Sequence, residues 1–385
     1  MTRIRILIFT QQLSTFRSGV GTYAHGLTSE LASRGHELTV VVPEDQMMEM
    51  AGVRVIGVHP CRFDPTPGGW FTLGRSFAAV LRREISAHDI VYFTDAREAW
   101  ATGKKVTPVV GMAHDSYALD WLRPDYPRGI FADYFSRSLY YLLLRLVERY
   151  TYPRLDALVT NSYHVGQAIA NSYRIRSDMV SVIRLGLPVR PHVETITLKG
   201  QPSILFVGGN FQRKGLHTLL TAISMLRKRF PKIRLHVVGR DKNQVILEKT
   251  VARLGIIQRV VFHGKLDNDL VRGMMKGVHM FVLPSFTEGF GLVYLEAMRA
   301  GTPVIATTIG GAGEVFKPGV EALFAAPNDA KGLAFRIEKL AGDPEISARL
   351  GRNGMAAAAR LTTDKMTLAT EDLFSRLLGR CKKKV

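Results

Sequence analysis

The sequence predicts an α/β protein made of two doubly wound, parallel-sheet domains. The chain has 385 residues, and two domains are expected because single hydrophobic cores stop growing at roughly 250–300 residues. Short apolar runs alternate with helical stretches in the first half, and the same alternation repeats in the second half. This pattern is typical of parallel sheets that are covered by helices on both faces.

The domain boundary is expected in the stretch 187–202, which contains three prolines and has no clear periodicity. The first domain is then predicted to cover residues 1–187 and the second to cover residues 203–364. Residues 365–385 are predicted to form a last helix, near Lys365–Leu378, and a basic tail. Ligands of doubly wound domains bind just beyond the carboxyl ends of the strands, so functional residues are expected at those positions.

Composition indicates a soluble globular protein, with 46% apolar and 22% charged residues. The apolar run at the N-terminus stops at Gln11 and Gln12, which favours a buried first strand over a signal peptide. The sequence contains no uninterrupted apolar run of about 18 residues, so a membrane-spanning helix is not expected. Two cysteines are too few for a disulfide framework and fit a cytoplasmic location.

The chain carries a net charge of +19. Residues 1–200 hold 23 Lys and Arg against 18 Asp and Glu, whereas residues 201–385 hold 29 against 15. The positive excess therefore lies mainly in the second half. A positively charged surface can attract nucleic acid, anionic lipid or phosphate-bearing ligands. The alternative is a generally basic protein whose charge serves solubility.

The most informative motif follows a buried strand that ends at Leu283. A glycine-rich turn, Gly289-Phe290-Gly291, opens a helix, and a helix N-terminus offers free N–H groups to a phosphate. Glu288 and Glu296 are eight residues apart, or roughly 12 Å along a continuous helix. This spacing suits a sugar at one carboxylate and a ribose at the other, because hydroxyls donate hydrogen bonds to carboxylates.

A second glycine-rich turn lies in the segment Leu205-Phe-Val-Gly-Gly-Asn-Phe-Gln-Arg-Lys-Gly215, which leads from a strand into a helix. A loop of this kind brings Arg213 and Lys214 to a diphosphate, whose developing negative charge requires positive partners. The alternative is an ordinary basic turn on the surface.

Two further candidate sites lie in the first domain. Gly19 and Gly21 open a helix within the segment Phe16–Tyr23, after the first strand, and form either a phosphate-facing loop or a tight turn. His114 and Asp115 end another strand, where a doubly wound domain places its ligands. A lone histidine in such a place is otherwise a structural residue.

The segment from Pro284 to Ala306 resembles the E-x7-E motif of retaining GT-B glycosyltransferases, above all family 4. The resemblance extends from residue 18 to about residue 327. It implies a GT-B fold, in which two Rossmann-like domains face a central cleft and the last helix crosses back to the first domain. It also implies that Glu288 contacts the donor sugar and Glu296 the ribose.

The resemblance assigns roles to the remaining candidates. His114, Arg213 and Lys214 join Glu288 as catalytic candidates, with His114 beside the donor sugar. In the commonest family pattern an arginine stands where this chain has Gly209, so Arg213 is its substitute, as in some enzymes that decorate lipopolysaccharide cores. The other donor-binding candidates are Gly19, Gly21, Gly209, Lys265, Leu266, Gly289, Phe290, Gly291 and Leu292.

The resemblance thus implies a retaining, metal-independent hexosyltransferase without a resident cofactor. It would use a nucleotide-sugar donor and a saccharide or lipid-linked acceptor, in the synthesis of cell-envelope glycans. The string Asp267-Asn-Asp269 is interpreted as a helix start and not as a metal site. A different GT-B enzyme, such as a nucleotide-sugar epimerase, and a basic nucleic-acid-binding protein are the alternatives. No recognised nucleic-acid motif supports the latter.

Peripheral contact with an anionic membrane, at the inner face of the cell membrane, is a further hypothesis. Two segments are candidates for this contact: Leu139–Leu144 with its flanking arginines, and Trp70–Arg75. For each segment a packed helix is the alternative, and it is the commoner explanation of such a pattern.

Overall fold

The computed structural model describes residues 3–14, 18–59, 67–103, 107–120, 134–241 and 244–382. The chain divides into two compact units, each built on its own parallel sheet. Unit 1 consists of Met1–Pro188 and Thr362–Val385, and unit 2 consists of Val189–Leu361. The predicted α/β architecture with two parallel-sheet domains is confirmed.

Unit 1 contains a seven-stranded sheet with the order β3-β2-β1-β4-β5-β6-β7. The interior strand β1 is covered on both faces, so its residues from Ile6 to Phe9 are all fully buried. The strands are β1 (Arg5–Phe9), β2 (Glu37–Pro43), β3 (Val53–Val58), β4 (Ile90–Phe93), β5 (Val109–Ala113), β6 (Ala157–Thr160) and β7 (Val180–Val182). The helices that precede unit 2 are α1 (Gly19–Ser33), α2 (Pro67–Glu84), α3 (Tyr117–Asp120), α4 (Tyr134–Thr151) and α5 (Tyr163–Tyr173).

Unit 2 contains a six-stranded sheet with the order β10-β9-β8-β11-β12-β13. Its strands are β8 (Ser203–Val207), β9 (Arg234–Val238), β10 (Val260–Gly264), β11 (Met280–Val282), β12 (Val304–Thr307) and β13 (Leu323–Ala325). Its helices are α6 (Leu216–Leu226), α7 (Gln244–Arg253), α8 (Asn268–Gly277), α9 (Leu292–Arg299), α10 (Gly311–Val315), α11 (Ala330–Gly342) and α12 (Pro344–Ala359). As predicted, Asp267 stands at the helix start, immediately before α8.

The last helix, α13 (Thr363–Lys382), belongs to unit 1. It packs on α1. Just after α1 ends, His36 Nε2 lies 2.8 Å from a carboxylate oxygen of Glu371, and Arg34 pairs with the same carboxylate at 3.2 Å. Within unit 1, Leu187 and Thr362 form a parallel β-bridge, which joins the end of the first segment of the unit to the start of the second.

The aperiodic stretch 187–202 differs from a free linker. From Val189 onward it belongs to unit 2, and its Ile196 N–H donates to the carbonyl of Gly273 in α8 at 3.0 Å. The lack of periodicity reflects an irregular backbone that packs on a helix, and such packing leaves no repeating sequence signal.

Helix α2 begins at Pro67, a residue type that suits the first helical position. Its first turns face the core, so Trp70 is 6% exposed and Leu73 is fully buried. The interpretation of Trp70 and Leu73 as lipid contacts is therefore wrong, although the neighbouring Phe71 remains half exposed. No helix in the described part of the chain is long and apolar enough to span a bilayer.

Candidate functional site

The strand order of each sheet reverses at one point, between β1 and β4 in unit 1 and between β8 and β11 in unit 2. Loops that leave the carboxyl ends of these strands diverge to opposite sides and leave a crevice where ligands bind. We call each of these reversals the switch point of its sheet. The sequence motifs follow the two strands at a switch point or their immediate neighbours, so most of the predicted site residues lie at the switch points.

In unit 2 the loop after β8 lies directly against the loop after β11. Gly215 makes this contact possible: it adopts a φ of +74°, and a Cβ atom there would lie 1.9 Å from the carbonyl oxygen of Pro284. The backbone N–H of Phe286 donates to the carbonyl of Arg213 at 2.7 Å. The two loops therefore form one rigid unit at the switch point.

The contact between these loops brings Lys214 and Glu288 together in a buried ion pair. Ser285 Oγ also donates to the Glu288 carboxylate, at 3.2 Å. Burial opposes ionisation of Glu288, but the charges of Lys214 and Arg213 and the hydrogen bonds outweigh burial and lower the pKa of the carboxyl group. Glu288 is thus an anion and Lys214 its cationic partner.

Arg213 is held differently from Lys214. Its Nη1 donates to the carbonyl of Thr287 at 3.2 Å, so part of its hydrogen-bonding capacity is used within the loop. It lies close enough to Glu288 to help to lower the pKa of that carboxyl group. Both predicted cations are therefore at the switch point, with Lys214 in direct contact with Glu288.

Helix α9 begins immediately after Gly291, whose φ of +84° makes the turn from the loop into the helix. Because α9 covers only Leu292–Arg299, Glu288 and the turn Gly289–Gly291 precede the helix. The path from Glu288 to Glu296 is therefore a turn followed by a helix, so the distance of roughly 12 Å for a fully helical path does not apply to it. Glu288 is fixed by the turn and by Lys214, and Glu296 by the helix.

Glu296 is partly buried beside three arginines, Arg190, Arg272 and Arg299. Burial raises the pKa of its carboxyl group, and the three guanidinium groups act in the opposite direction. No residue in the described part of the chain donates a hydrogen bond to this carboxylate, and Arg190 Nη2 is buried without a hydrogen-bond partner. The carboxylate is therefore available to accept hydrogen bonds from a ligand.

The remaining donor-side candidates lie at neighbouring strand ends. Lys265 and Leu266 directly follow β10, and the loops after β8, β9 and β10 are connected: Gly208 N–H donates to Val238, and Gly239 N–H donates to Gly264. Gly209 lies beside the carbonyl of Arg240. These residues share the carboxyl edge of the sheet with Lys214 and Glu288.

In unit 1, Gly19 is the first residue of α1, and the N–H of Gly21 is capped by Ser18 Oγ at 3.1 Å. Phe16 and Arg17 lie outside the described residues. The ring of Tyr23 meets His114 edge-on, with centroids 5.1 Å apart, so the start of α1 and the end of β5 are neighbours.

His114 has a defined hydrogen-bonding pattern. Its Nε2 lies 2.7 Å from the carbonyl oxygen of Thr94, so Nε2 carries the proton and Nδ1 is the acceptor. Burial lowers the pKa of the imidazole, which favours the neutral ring. A neutral ring with a defined acceptor suits a contact with a sugar hydroxyl.

A buried polar cluster next to His114 was not predicted from the sequence. Arg97, in the 3-10 turn Ala96–Ala101 after β4, donates to both carboxylate oxygens of Asp95 at 2.9 Å and to Asp115 at 3.3 Å. Its Nη1 lies 3.7 Å from Glu148. Burial raises the pKa of Glu148 to about 7. Asp115 is thus held by Arg97. The one sequence signal for this cluster is that Asp95 and Arg97 follow β4, a strand at the switch point.

The structure groups the candidates by unit. It brings Arg213, Lys214, Glu288 and the turn before α9 together in unit 2, and His114 with the start of α1 in unit 1. In the described part of the chain, no group of three His, Cys, Asp or Glu side chains is arranged to hold a metal ion.

Comparisons with known proteins show the family and the fold of the chain. Residues 17–190 match the family model described as Glycosyltransferase Family 4, and residues 192–356 match the model described as Glycosyl transferases group 1. The glycogen synthase of Mycobacterium tuberculosis (strain ATCC 25618 / H37Rv) is 27% identical over 380 residues, which cover 90% of this chain and 87% of that protein.

Solved structures show the same fold. The sucrose-phosphate synthase of Thermosynechococcus elongatus superposes with a TM-score of 0.81 at 21% identity and covers 98% of this chain and 100% of its own. Anabaena HepE in complex with UDP-glucose gives a TM-score of 0.70 at 20% identity, with coverage of 97% and 100%.

Proposed function

Because the chain belongs to the GT-B glycosyltransferases that resemble family 4, we propose that it moves a hexose-type sugar from a nucleotide-sugar to a saccharide or lipid-linked acceptor. The transfer would retain the anomeric configuration and would serve cell-envelope glycan synthesis. The observation that carries the proposal is the buried Lys214–Glu288 pair, which stands at the switch point of unit 2 beside the N-terminus of α9.

The chemistry of the pair fits departure of a nucleoside diphosphate. When the bond between the sugar and the diphosphate breaks, negative charge builds up on the leaving oxygen. Lys214, Arg213 and the free N–H groups after Gly291 stabilise that charge without a large rearrangement. The Glu288 carboxylate accepts hydrogen bonds from donor-sugar hydroxyls and at the same time fixes the Lys214 ammonium group.

The other residues then have separate tasks. Glu296 accepts hydrogen bonds from the ribose, and Lys265 and Leu266 contact the base. His114 accepts a hydrogen bond from the donor sugar at Nδ1, and unit 1 holds the acceptor. Cationic side chains take the place that a divalent metal has in other transferases, so the reaction is proposed to need neither a metal nor a resident cofactor.

A panel of UDP-, GDP- and ADP-sugars tests the proposal. A thermal shift with one of these sugars, followed by product analysis with saccharide and lipid-linked acceptors, should show transfer with retained configuration and unchanged rates in excess EDTA.

Conversion of the donor without an acceptor would instead indicate an epimerase. Loss of activity in EDTA that magnesium or manganese restores would contradict the metal-free mechanism. Tight retention of nucleic acid on a filter at physiological salt would favour the nucleic-acid-binding alternative.

The role of Glu296 gives a sharper test. We expect Glu296→Ala to weaken binding of the matching nucleoside diphosphate by about tenfold or more, because two ribose hydroxyls lose a charged acceptor. Calorimetry with the 2′,3′-dideoxy nucleotide is the control: it should bind the wild-type protein and Glu296→Ala equally weakly. Unchanged affinity for the normal nucleotide would remove the ribose role.

Peripheral contact with an anionic membrane is proposed through α4. Leucines 139, 142, 143 and 146 and Tyr150 are 37–56% exposed and recur at helical spacing, so they form one apolar stripe. Arg149 is exposed beside the stripe, and Arg154 stacks on the ring of Tyr150 at 3.8 Å. Apolar side chains flanked by arginines suit the interface of an anionic bilayer.

We expect Leu142→Ser with Leu146→Ser to abolish most co-sedimentation with anionic vesicles and to leave thermal stability unchanged. The matched control is Val245→Ser with Phe335→Ser, which removes two equally exposed apolar side chains from unit 2. Equal vesicle binding by both double variants, or by neutral and anionic vesicles, would overturn the membrane proposal and favour a soluble acceptor.

A further inference from the structure

Unit 2 contains a second concave site, at the opposite edge of its sheet from Lys214 and Glu288. A groove of about 920 Å³ lies where β8, β9 and β10 begin, and is lined by residues 197–201, 231–234 and 255–259 and by His279. The candidate donor residues follow the carboxyl ends of the strands, whereas this groove lies at their amino ends. It is therefore separate from the proposed transfer site.

The groove is strongly cationic. Four basic side chains line it, Lys199, Lys232, Arg234 and Arg259, and none of the lining residues is acidic. Every lining residue lies in the described part of the chain, and no carboxylate there forms an ion pair with any of the four. Their charges are therefore uncompensated, and a concave wall concentrates their field on a bound anion.

The basic residues are held on ordered backbone. The N–H of Gln201 donates to the carbonyl of Lys232 at 2.8 Å, and the N–H of Arg234 donates to Pro202 at 3.0 Å. These bonds place the segments that carry Lys199, Lys232 and Arg234 side by side. The floor contains the buried Ile233 and Ile256, so the site combines a fixed cationic rim with an aliphatic base.

The shape and side chains of the groove restrict its ligand. No Phe, Tyr or Trp lines it, so it lacks the platforms on which single-stranded nucleic acids stack their bases. Its concave form does not match a planar bilayer. The amides of Gln201 and Gln258, which can donate to and accept from hydroxyl groups, lie beside the cations.

We propose that this groove binds an anionic glycan chain through its phosphate, sulfate or carboxylate groups, away from the transfer site. Anion binding follows from the groove's own side chains, whereas the choice of a glycan rests on the proposed glycosyltransferase function. An enzyme that holds its acceptor polymer at a second point keeps the chain end at a high local concentration.

A fluorescently labelled sulfated heparin pentasaccharide is the probe, and anisotropy is the readout. Lys199→Glu with Lys232→Glu should weaken binding by about tenfold or more at low salt, because two attractive charges become repulsive. The matched control, Lys317→Glu with Lys331→Glu, makes the same change in net charge on exposed lysines of unit 2 and should change affinity less than about twofold.

Equal losses in the two double variants would show that bulk charge holds the probe and would overturn the proposal. Tighter binding of an oligonucleotide of equal charge, or of anionic vesicles, that depends on Lys199 and Lys232 would overturn the assignment to a glycan. The titration needs no nucleotide-sugar, so a failure of the proposed function appears separately, as absent donor binding and transfer in the wild-type protein.

Discussion

Replacing Lys214 with alanine should lower the single-turnover rate of sugar transfer by about 10²–10³-fold, the usual cost of removing one group that stabilises a developing charge. Lys214 is buried against Glu288, so its ammonium group is already desolvated and positioned. Arg213→Ala should have a smaller effect, because the Arg213 guanidinium also donates to the carbonyl of Thr287. Single-turnover rates with saturating donor test this order.

The Lys214 variant needs a control for the carboxylate it leaves behind. Lys214→Ala strands Glu288 as a buried, uncompensated anion, which by itself disturbs the loop. The double variant with Glu288→Gln removes that anion. If Lys214 acts on the diphosphate, the double variant recovers thermal stability but transfers sugar more slowly than Glu288→Gln alone. Equal rates in the double variant and Glu288→Gln would reduce Lys214 to a partner of Glu288, and a larger effect of Arg213→Ala would transfer the phosphate role to Arg213.

Arg97→Met should destabilise unit 1 by about 3–5 kcal/mol, because the variant leaves the buried carboxylates of Asp95, Asp115 and Glu148 without their cation. The matched control is Arg54→Met, which breaks an exposed pair with Glu84 and should cost at most about 1 kcal/mol. All three tryptophans of the chain lie in unit 1, so urea unfolding followed by tryptophan fluorescence reports this unit selectively.

The loss in Arg97→Met should depend on pH in a defined direction. Burial already raises the pKa of Glu148 to about 7, above its value in the unfolded chain, so deprotonation of Glu148 lowers stability as pH rises through this range. Without Arg97 that penalty grows. The variant should therefore lose more stability at pH 8 than at pH 5.5, and a loss independent of pH would contradict a role for Arg97 in neutralising these carboxylates.

The sequence predicts those site residues that directly follow a strand of a parallel sheet. Arg213, Lys214, Glu288 and the turn before α9 each follow a strand, and neighbouring parallel strands bring such positions together. The Arg97 cluster escapes prediction because Asp95, Asp115 and Glu148 come from three different elements. The direction of a helix face is equally hidden: Trp70 points into the core, whereas the apolar stripe of α4 points outward.

The sequence spacing of Glu288 and Glu296 also leaves their separation in space undetermined. In the structure a turn fixes Glu288 and a helix fixes Glu296. Likewise, the positive excess of the second half is visible in composition, whereas its concentration in one groove depends on the approach of residues 199, 232, 234 and 259.

The placement of α13 in unit 1 has a consequence for the order in which the protein is made. Every residue of unit 2 has been synthesised once Leu361 is added, while unit 1 still lacks its last helix. Until α13 follows, His36 and Arg34 have no Glu371 to contact, and Tyr92 lacks the ring of Phe374. The unit that leaves the ribosome first is therefore completed last, after the whole of the other unit has been made.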